Sequence, residues 1–114
     1  MNENPQILVI FYDYLLYLVQ RVSKFPRNQR YLMGERLEML SLEVMARLVA
    51  AAFSTEKLEI LKDANIKLEQ IRFHVRLCKD TKLLNLQHYE VMSKKLNDIG
   101  IQLGAWIKHQ SKKA

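Results

Sequence analysis

Between Leu61 and Cys78 the residues Leu61, Ala64, Leu68, Ile71, Val75 and Cys78 alternate at steps of three and four without a break. Only an α-helix brings such positions onto one stripe, and a sustained three-four rhythm is the seam along which helices pack in bundles. The rhythm returns in Tyr89, Met92, Leu96, Ile99, Leu103 and Trp106, and in Leu37, Leu40, Val44, Leu48 and Ala51. A fourth segment, Ile7 to Val19, is apolar except for Asp13. It falls short of the roughly 20 residues that a bilayer core requires, so it reads as a buried helix with no membrane role. Three glycines and two prolines in 114 residues are too few for a many-turned β fold or a Gly-rich nucleotide loop.

Punctuation sets the boundaries. Pro5 suits a first helical turn, and Pro26 disfavours helix at Phe25 before it, so helix one ends near Lys24. Helix two spans about Asn28 to Phe53, with Ser54 or Thr55 placed to cap helix three, about Glu56 to Asp80. After the link Thr81 to Leu84, Asn85 is a good N-cap for helix four, and the polar stretch from Gln110 to Ala114 is expected to fray. Short links make successive helices antiparallel. The expectation is a single all-α domain over residues 1–114, an up-down-up-down four-helix bundle. Met1 to Gln6 carries Glu3 and no Lys or Arg, the reverse of an export leader, and the lone Cys78 fits a reducing cytoplasm.

A helix of a monomeric bundle needs one apolar stripe. Helix one has more: beside a seam of Leu8, Phe11, Leu15, Leu18 and Val22 lie Ile10, Tyr14, Leu16 and Tyr17. Helix three adds Ile66, Phe73 and Leu77 outside its own seam. Single exposed apolar residues are ordinary, but a contiguous second face would form a large apolar patch, which predicts self-association into a symmetric oligomer. The candidate contacts are Phe11, Tyr14 and Tyr17 on helix one and Ile66, Phe73 and Leu77 on helix three.

The formal charge is +6, distributed as 0 over residues 1–26, +1 over 27–53, +1 over 54–80 and +4 over 81–114. Such an excess favours a polyanionic partner. Arg72, Arg76 and Lys79 share one stripe of helix three; Arg27, Arg30 and Arg36 open helix two; Lys108, Lys112 and Lys113 lie near the chain end. Arginine is the more telling residue, because its fork holds a phosphate through two hydrogen bonds. A solvated face is the plainer reading of the helix-three stripe, since Glu69 and Asp80 stand at pairing distance.

Catalytic constellations are poor. His74 and Cys78 sit four apart, a two-ligand spacing without a second pair, so a metal or other cofactor is not expected. His88, His109, Glu35 and Glu38 have no nucleophile beside them in the pattern. Asp13 demands a cationic partner, most cheaply an arginine of another helix or subunit. Gly100 and Gly104 form a G-x-x-x-G step, which predicts close packing of a neighbouring helix.

The string Phe25-Pro26-Arg27, then Arg30-Tyr31-Leu32-Met33-Gly34-Glu35-Arg36-Leu37, followed by Ala64-Asn65, Leu68-Glu69, Ile71-Arg72, Arg76-Leu77, Lys79-Asp80 and Gly104-Ala105-Trp106-Ile107-Lys108, resembles the accessory variability determinant proteins of diversity-generating retroelements. The four-helix proteins encoded in intervening sequences of 23S ribosomal RNA genes are similar in size and in the Phe-Pro step, and a structural or ribosome-associated bundle of that type is the alternative. Their Ser-Ile-Pro and Ala-Glu-Gly segment is missing here. The first resemblance implies a ring-shaped homopentamer without catalytic activity that binds a reverse transcriptase and its template RNA and supports mutagenic cDNA synthesis and retrohoming. It also makes Arg72 and Arg76 the leading contacts for polymerase or nucleic acid, followed by Lys79, Arg27, Arg30 and Arg36, with Lys108 at the far end.

Overall fold

The computed structural model describes residues 5–113. Residues 1–4, which carry most of the leader reading, and Ala114 lie outside the described residues. Four helices make up the described residues: α1 (Pro5–Val22), α2, α3 (Leu58–Asp80) and α4 (Leu86–Lys113). Helix α2 opens as Arg27–Gln29, passes through a π turn at Arg30–Gly34 and continues as Glu35–Phe53. Its backbone stays helical across both junctions.

Cross-helix contacts fix the topology. Tyr14 pairs with Ser41 and Val22 packs on Gly34, so α1 and α2 run in opposite senses. Arg47–Asp63 and Glu43–Lys67 do the same for α2 and α3, Arg72 to Leu96 and Lys79 to Tyr89 for α3 and α4, and Asp13–Lys95 and Arg21–His88 for α4 and α1. Each helix therefore touches two antiparallel neighbours around one core, the up-down-up-down bundle that the short links dictate.

The core follows the three-four rhythm closely. All six predicted α3 positions are buried, as are Met92, Leu96, Ile99, Leu103 and Trp106 of α4. Helix α1 departs from expectation. Its core seam is Ile7, Phe11, Tyr14, Leu18 and Val22, while Leu8 and Leu15 are only half-buried. Tyr14 goes inside because the buried Ser41 meets its hydroxyl at 2.8 Å and Phe11 meets its ring edge-on at 5.3 Å, which supplies a partner for the polar end of a large apolar body. In α2 the buried Ser41 likewise stands nearer the core than the half-buried Leu40.

The ends are capped by side chains. Lys57 donates to Ala51 O and Ala52 O at the end of α2, where carbonyls lack helical partners. Ser54 accepts from Glu56 N and closes a turn, so α3 begins later than Glu56. Helix α3 ends in a Schellman motif: Leu83 N bonds Cys78 O at 2.8 Å and Lys82 N bonds Lys79 O at 3.0 Å, with Lys82 at φ 67° in the place usually held by glycine. Asn85 caps α4 as expected, accepting from His88 N at 2.7 Å. The tail does not fray at Gln110; α4 continues to Lys113.

Phe25 and Gly34 are both buried where α1 turns over into α2. A Cβ on Gly34 would stand 2.5 Å from Val22 Cγ1, and a short branched side chain has no slack to absorb that. Gly34→Ala gains about 1 kcal/mol of helix propensity but overpacks a tight site at a cost of about 1–3 kcal/mol. The expected net is a loss of about 1 kcal/mol and a melting temperature lower by about 4 °C in a thermal scan.

Candidate functional site

The four helices differ in what they show outward. On α1, Val9, Tyr12, Leu16 and Val19 are all exposed and step by three, four and three. This is a second seam, turned away from the core. Helix α2 repeats it with Met39, Leu42, Val49 and Phe53, and Ala46 fills the gap in the same rhythm. Helix α3 exposes Ile66, Phe73 and Leu77, as its sequence predicts. Helix α4 is different: Glu90, Lys94, Asn97, Asp98, Lys108 and Lys112 share its outer side with Leu86, Val91 and Ile101. The outer side of α1 is thus largely apolar, those of α2 and α3 carry apolar side chains among charged ones, and that of α4 is mostly polar.

Two of the residues assigned to self-association from sequence are placed elsewhere. Phe11 and Tyr14 are fully buried within the chain's own core and are not available to another copy. Tyr17 is half-buried, with Arg21 and Lys95 each 5.6 Å from its ring centre. The error is one of phase: a nearly continuous apolar run fits more than one three-four register, and the buried Ser41 that selects Tyr14 lies 27 residues away. The outward seam of Val9, Tyr12, Leu16 and Val19 was legible in its spacing but hidden by the same abundance.

The basic positions separate into engaged and free side chains. Arg72 is tied to the bundle: its Nη2 donates to Leu96 O at 3.3 Å, and its Nε lies 3.0 Å from Glu69 Oε2 without the alignment of a hydrogen bond. Gly100 makes room for it, since a Cβ there would strike the guanidinium. The G-x-x-x-G step therefore accommodates an arginine, with open space at Gly104, and does not seat a helix backbone. Arg76 reaches Asp80 only at 3.8 Å and is well exposed, while Lys79 lies 4.6 Å from the Tyr89 ring centre and 3.5 Å from Asp80. Arg27, Arg30 and Arg36 are exposed, and their side chains make no ion pair or hydrogen bond among the described residues. Lys108 is exposed at the opposite end of the bundle.

Antiparallel packing gathers charge at one end. The α1–α2 and α3–α4 links share that end, and residues 21–34 and 79–89 bring Arg21, Lys24, Arg27, Arg30, Lys79 and Lys82 together against a single acid, Asp80. Twelve Lys and Arg against eleven Asp and Glu remain elsewhere, so this end holds nearly all of the excess. Below it, a groove of about 450 Å³ between α1 and α2 is lined by Val19, Arg27, Arg30, Tyr31, Glu35 and Glu38. Burial, and then the neighbouring Glu35, hold the Glu38 carboxyl above its ordinary range.

Chemistry of other kinds has little support in the geometry. Asp13 is exposed and pairs with Lys95 of α4, a lysine where an arginine was expected. Cys78 points into the core, whereas His74 lines a groove of about 580 Å³ between α2 and α3. They face different surroundings, and among the described residues no three His, Cys, Asp or Glu side chains converge to hold a metal. Nor, among those residues, is any helix long and apolar enough to cross a membrane. Burial pushes the Cys78 thiol up to about 11, so at pH 8 a thiol reagent should label it only as fast as the bundle opens. An unfolded chain would release that proton near 9.0, earlier than the folded one. Stability is therefore whole below pH 9 and declines between pH 9 and about 11; Tyr14, raised likewise by burial, adds to the alkaline loss. A series of denaturant titrations across this range checks the sign.

The fold and surfaces define a class: a small all-helical bundle whose outward features are apolar seams and a basic end, equipped for contact. Within that class the chain belongs to the bAvd-like family, whose model matches residues 6–110. Neither a curated protein nor a solved structure matches the chain.

Proposed function

We propose that this protein is a non-enzymatic accessory subunit of a diversity-generating retroelement, a homo-oligomer that joins a reverse transcriptase to its template RNA in the cytoplasm and so supports mutagenic cDNA synthesis and retrohoming. The observation that carries the reading is the outward apolar seam on each of α1, α2 and α3 in a chain of this family. The α1 and α2 seams lie on neighbouring helices, while Ile66, Phe73 and Leu77 belong to α3. Two different patches on one protomer favour head-to-tail contact, which closes into a ring when the rotation allows; membership of this family supports five copies in that ring.

A ring repeats the basic end in every copy and turns it into one positive surface, on which Arg27, Arg30, Arg36, Arg76, Lys79 and Lys82 are the contacts for RNA or polymerase. Lys108 stands at the other end and Arg72 serves the bundle first. Co-expression with a candidate retroelement reverse transcriptase, followed by affinity capture of the polymerase, tests the reading. A stoichiometric complex that also retains template RNA is the expected result. A polymerase recovered without this chain, under conditions where both are soluble, would contradict it.

A further inference from the structure

The π turn in α2 has a consequence for which side chains face solvent. Counting back from the buried Ser41, Leu37 and Gly34 by threes and fours, a regular helix would turn Arg30 and Arg27 toward the core. The π turn at Arg30–Gly34 inserts one extra residue, and the next core-side position is the half-buried Gln29, five residues before Gly34. Arg27 and Arg30 are thereby swung outward, where no acid pairs with them. The same turn exposes two large apolar side chains, Tyr31 and Leu32, each 66% accessible. Tyr31 lines both the α1–α2 groove, with Arg27 and Arg30, and the α2–α3 groove, with Arg36. Single-turn π insertions recur at functional positions.

An exposed aromatic ring among unpaired arginines suits a single-stranded nucleic acid, because unstacked bases lie on an aromatic face while arginines hold the flanking phosphates. Residues 21–34 carry no acid; the carboxylates that share these grooves are Glu35, in both, Glu38 and Glu43, and none of them pairs with Arg27, Arg30 or Arg36. A duplex keeps its bases stacked and has no use for the ring. We propose that the π turn of α2 is a stacking site for single-stranded RNA, with Tyr31 as the platform for one base and Arg27, Arg30 and Arg36 as the phosphate grips. This rests on the RNA-binding reading above and adds strand preference and a named platform to it.

The test uses the full chain, a fluorescently labelled 12-nucleotide single-stranded oligouridine and a blunt-ended RNA duplex of similar charge, in 0.1 M salt. Wild type should prefer the single strand, and Tyr31→Ala should weaken that binding about tenfold while changing duplex affinity by less than twofold. Tyr31→Trp should restore single-strand binding and lose tryptophan fluorescence on adding oligouridine; the native Trp106 is 4% exposed and shielded from contact. Unchanged single-strand affinity in Tyr31→Ala would overturn the stacking site and leave the RNA reading standing. Failure of wild type to bind either nucleic acid would overturn both. A loss of oligomer mass in Tyr31→Ala, by sedimentation, would overturn the stacking role in favour of contact with another copy.

Discussion

Placing glutamate at both Leu16 and Val19 should turn the proposed oligomer into a folded monomer. These two side chains are 50% and 53% exposed in the single chain, so the bundle itself loses little when they change. In an assembly that covers the α1 seam they would bury two carboxylates against apolar surface without a partner, at a cost of several kcal/mol. That is enough to raise the dissociation constant at least a hundredfold, since each 1.4 kcal/mol is a factor of about ten. Helical circular dichroism should be preserved while light-scattering mass falls to one chain. Replacing the buried Leu18, two positions further on than Leu16, should instead unfold the protein, and that contrast separates interface from core.

The second large effect concerns Arg27 and Arg30. Changing both to alanine removes two unpaired cations from the basic end without breaking any ion pair of the bundle, so the melting temperature should hold. RNA affinity at 0.1 M salt should fall between tenfold and a hundredfold, and the slope of log affinity against log salt should become shallower by about 1.4, as expected for two lost contacts to a single strand. Arg72→Ala should behave in the opposite way. It removes a hydrogen bond to Leu96 O and the guanidinium that fills the space over Gly100, so stability should drop by about 1–2 kcal/mol while the salt slope barely moves.

These predictions reverse the ranking that sequence alone suggests, and the reason lies in what spacing can report. Periodicity gave α3 and most of α4 residue by residue, because their apolar residues outside the stripe are few and scattered among charged ones and do not compose a competing three-four register. Helix α1 has too many apolar residues for that, and the choice between Leu8–Leu15 and Ile7–Tyr14 was made by Ser41 on another helix. The Arg72, Arg76 and Lys79 stripe was visible, but its engagement with Leu96, Gly100, Asp80 and Tyr89 depends on how α4 packs. The π turn left a trace in the sequence, since Arg27 and Arg30 occupy core-rhythm positions that no arginine would fill unpaired. Gathering of charge at one end follows from antiparallel topology and could have been drawn from the helix boundaries alone.

Asp13 illustrates a further limit. Within an apolar run it demanded a cationic partner from another helix or subunit, and it meets one in Lys95 of α4, a lysine rather than an arginine, with the carboxylate itself exposed. Composition around a residue in sequence does not give its surroundings in space, because every third or fourth position of a helix points the same way and its neighbours do not.

The central claim is that the apolar seams of Val9 to Val19, Met39 to Phe53 and Ile66 to Leu77 exceed what one bundle covers. Light scattering coupled to size exclusion, on the purified chain at ten micromolar, tests it most directly. The account predicts a mass several times the 13.5 kDa of one chain, stable on tenfold dilution; a monodisperse particle of 13.5 kDa would contradict it.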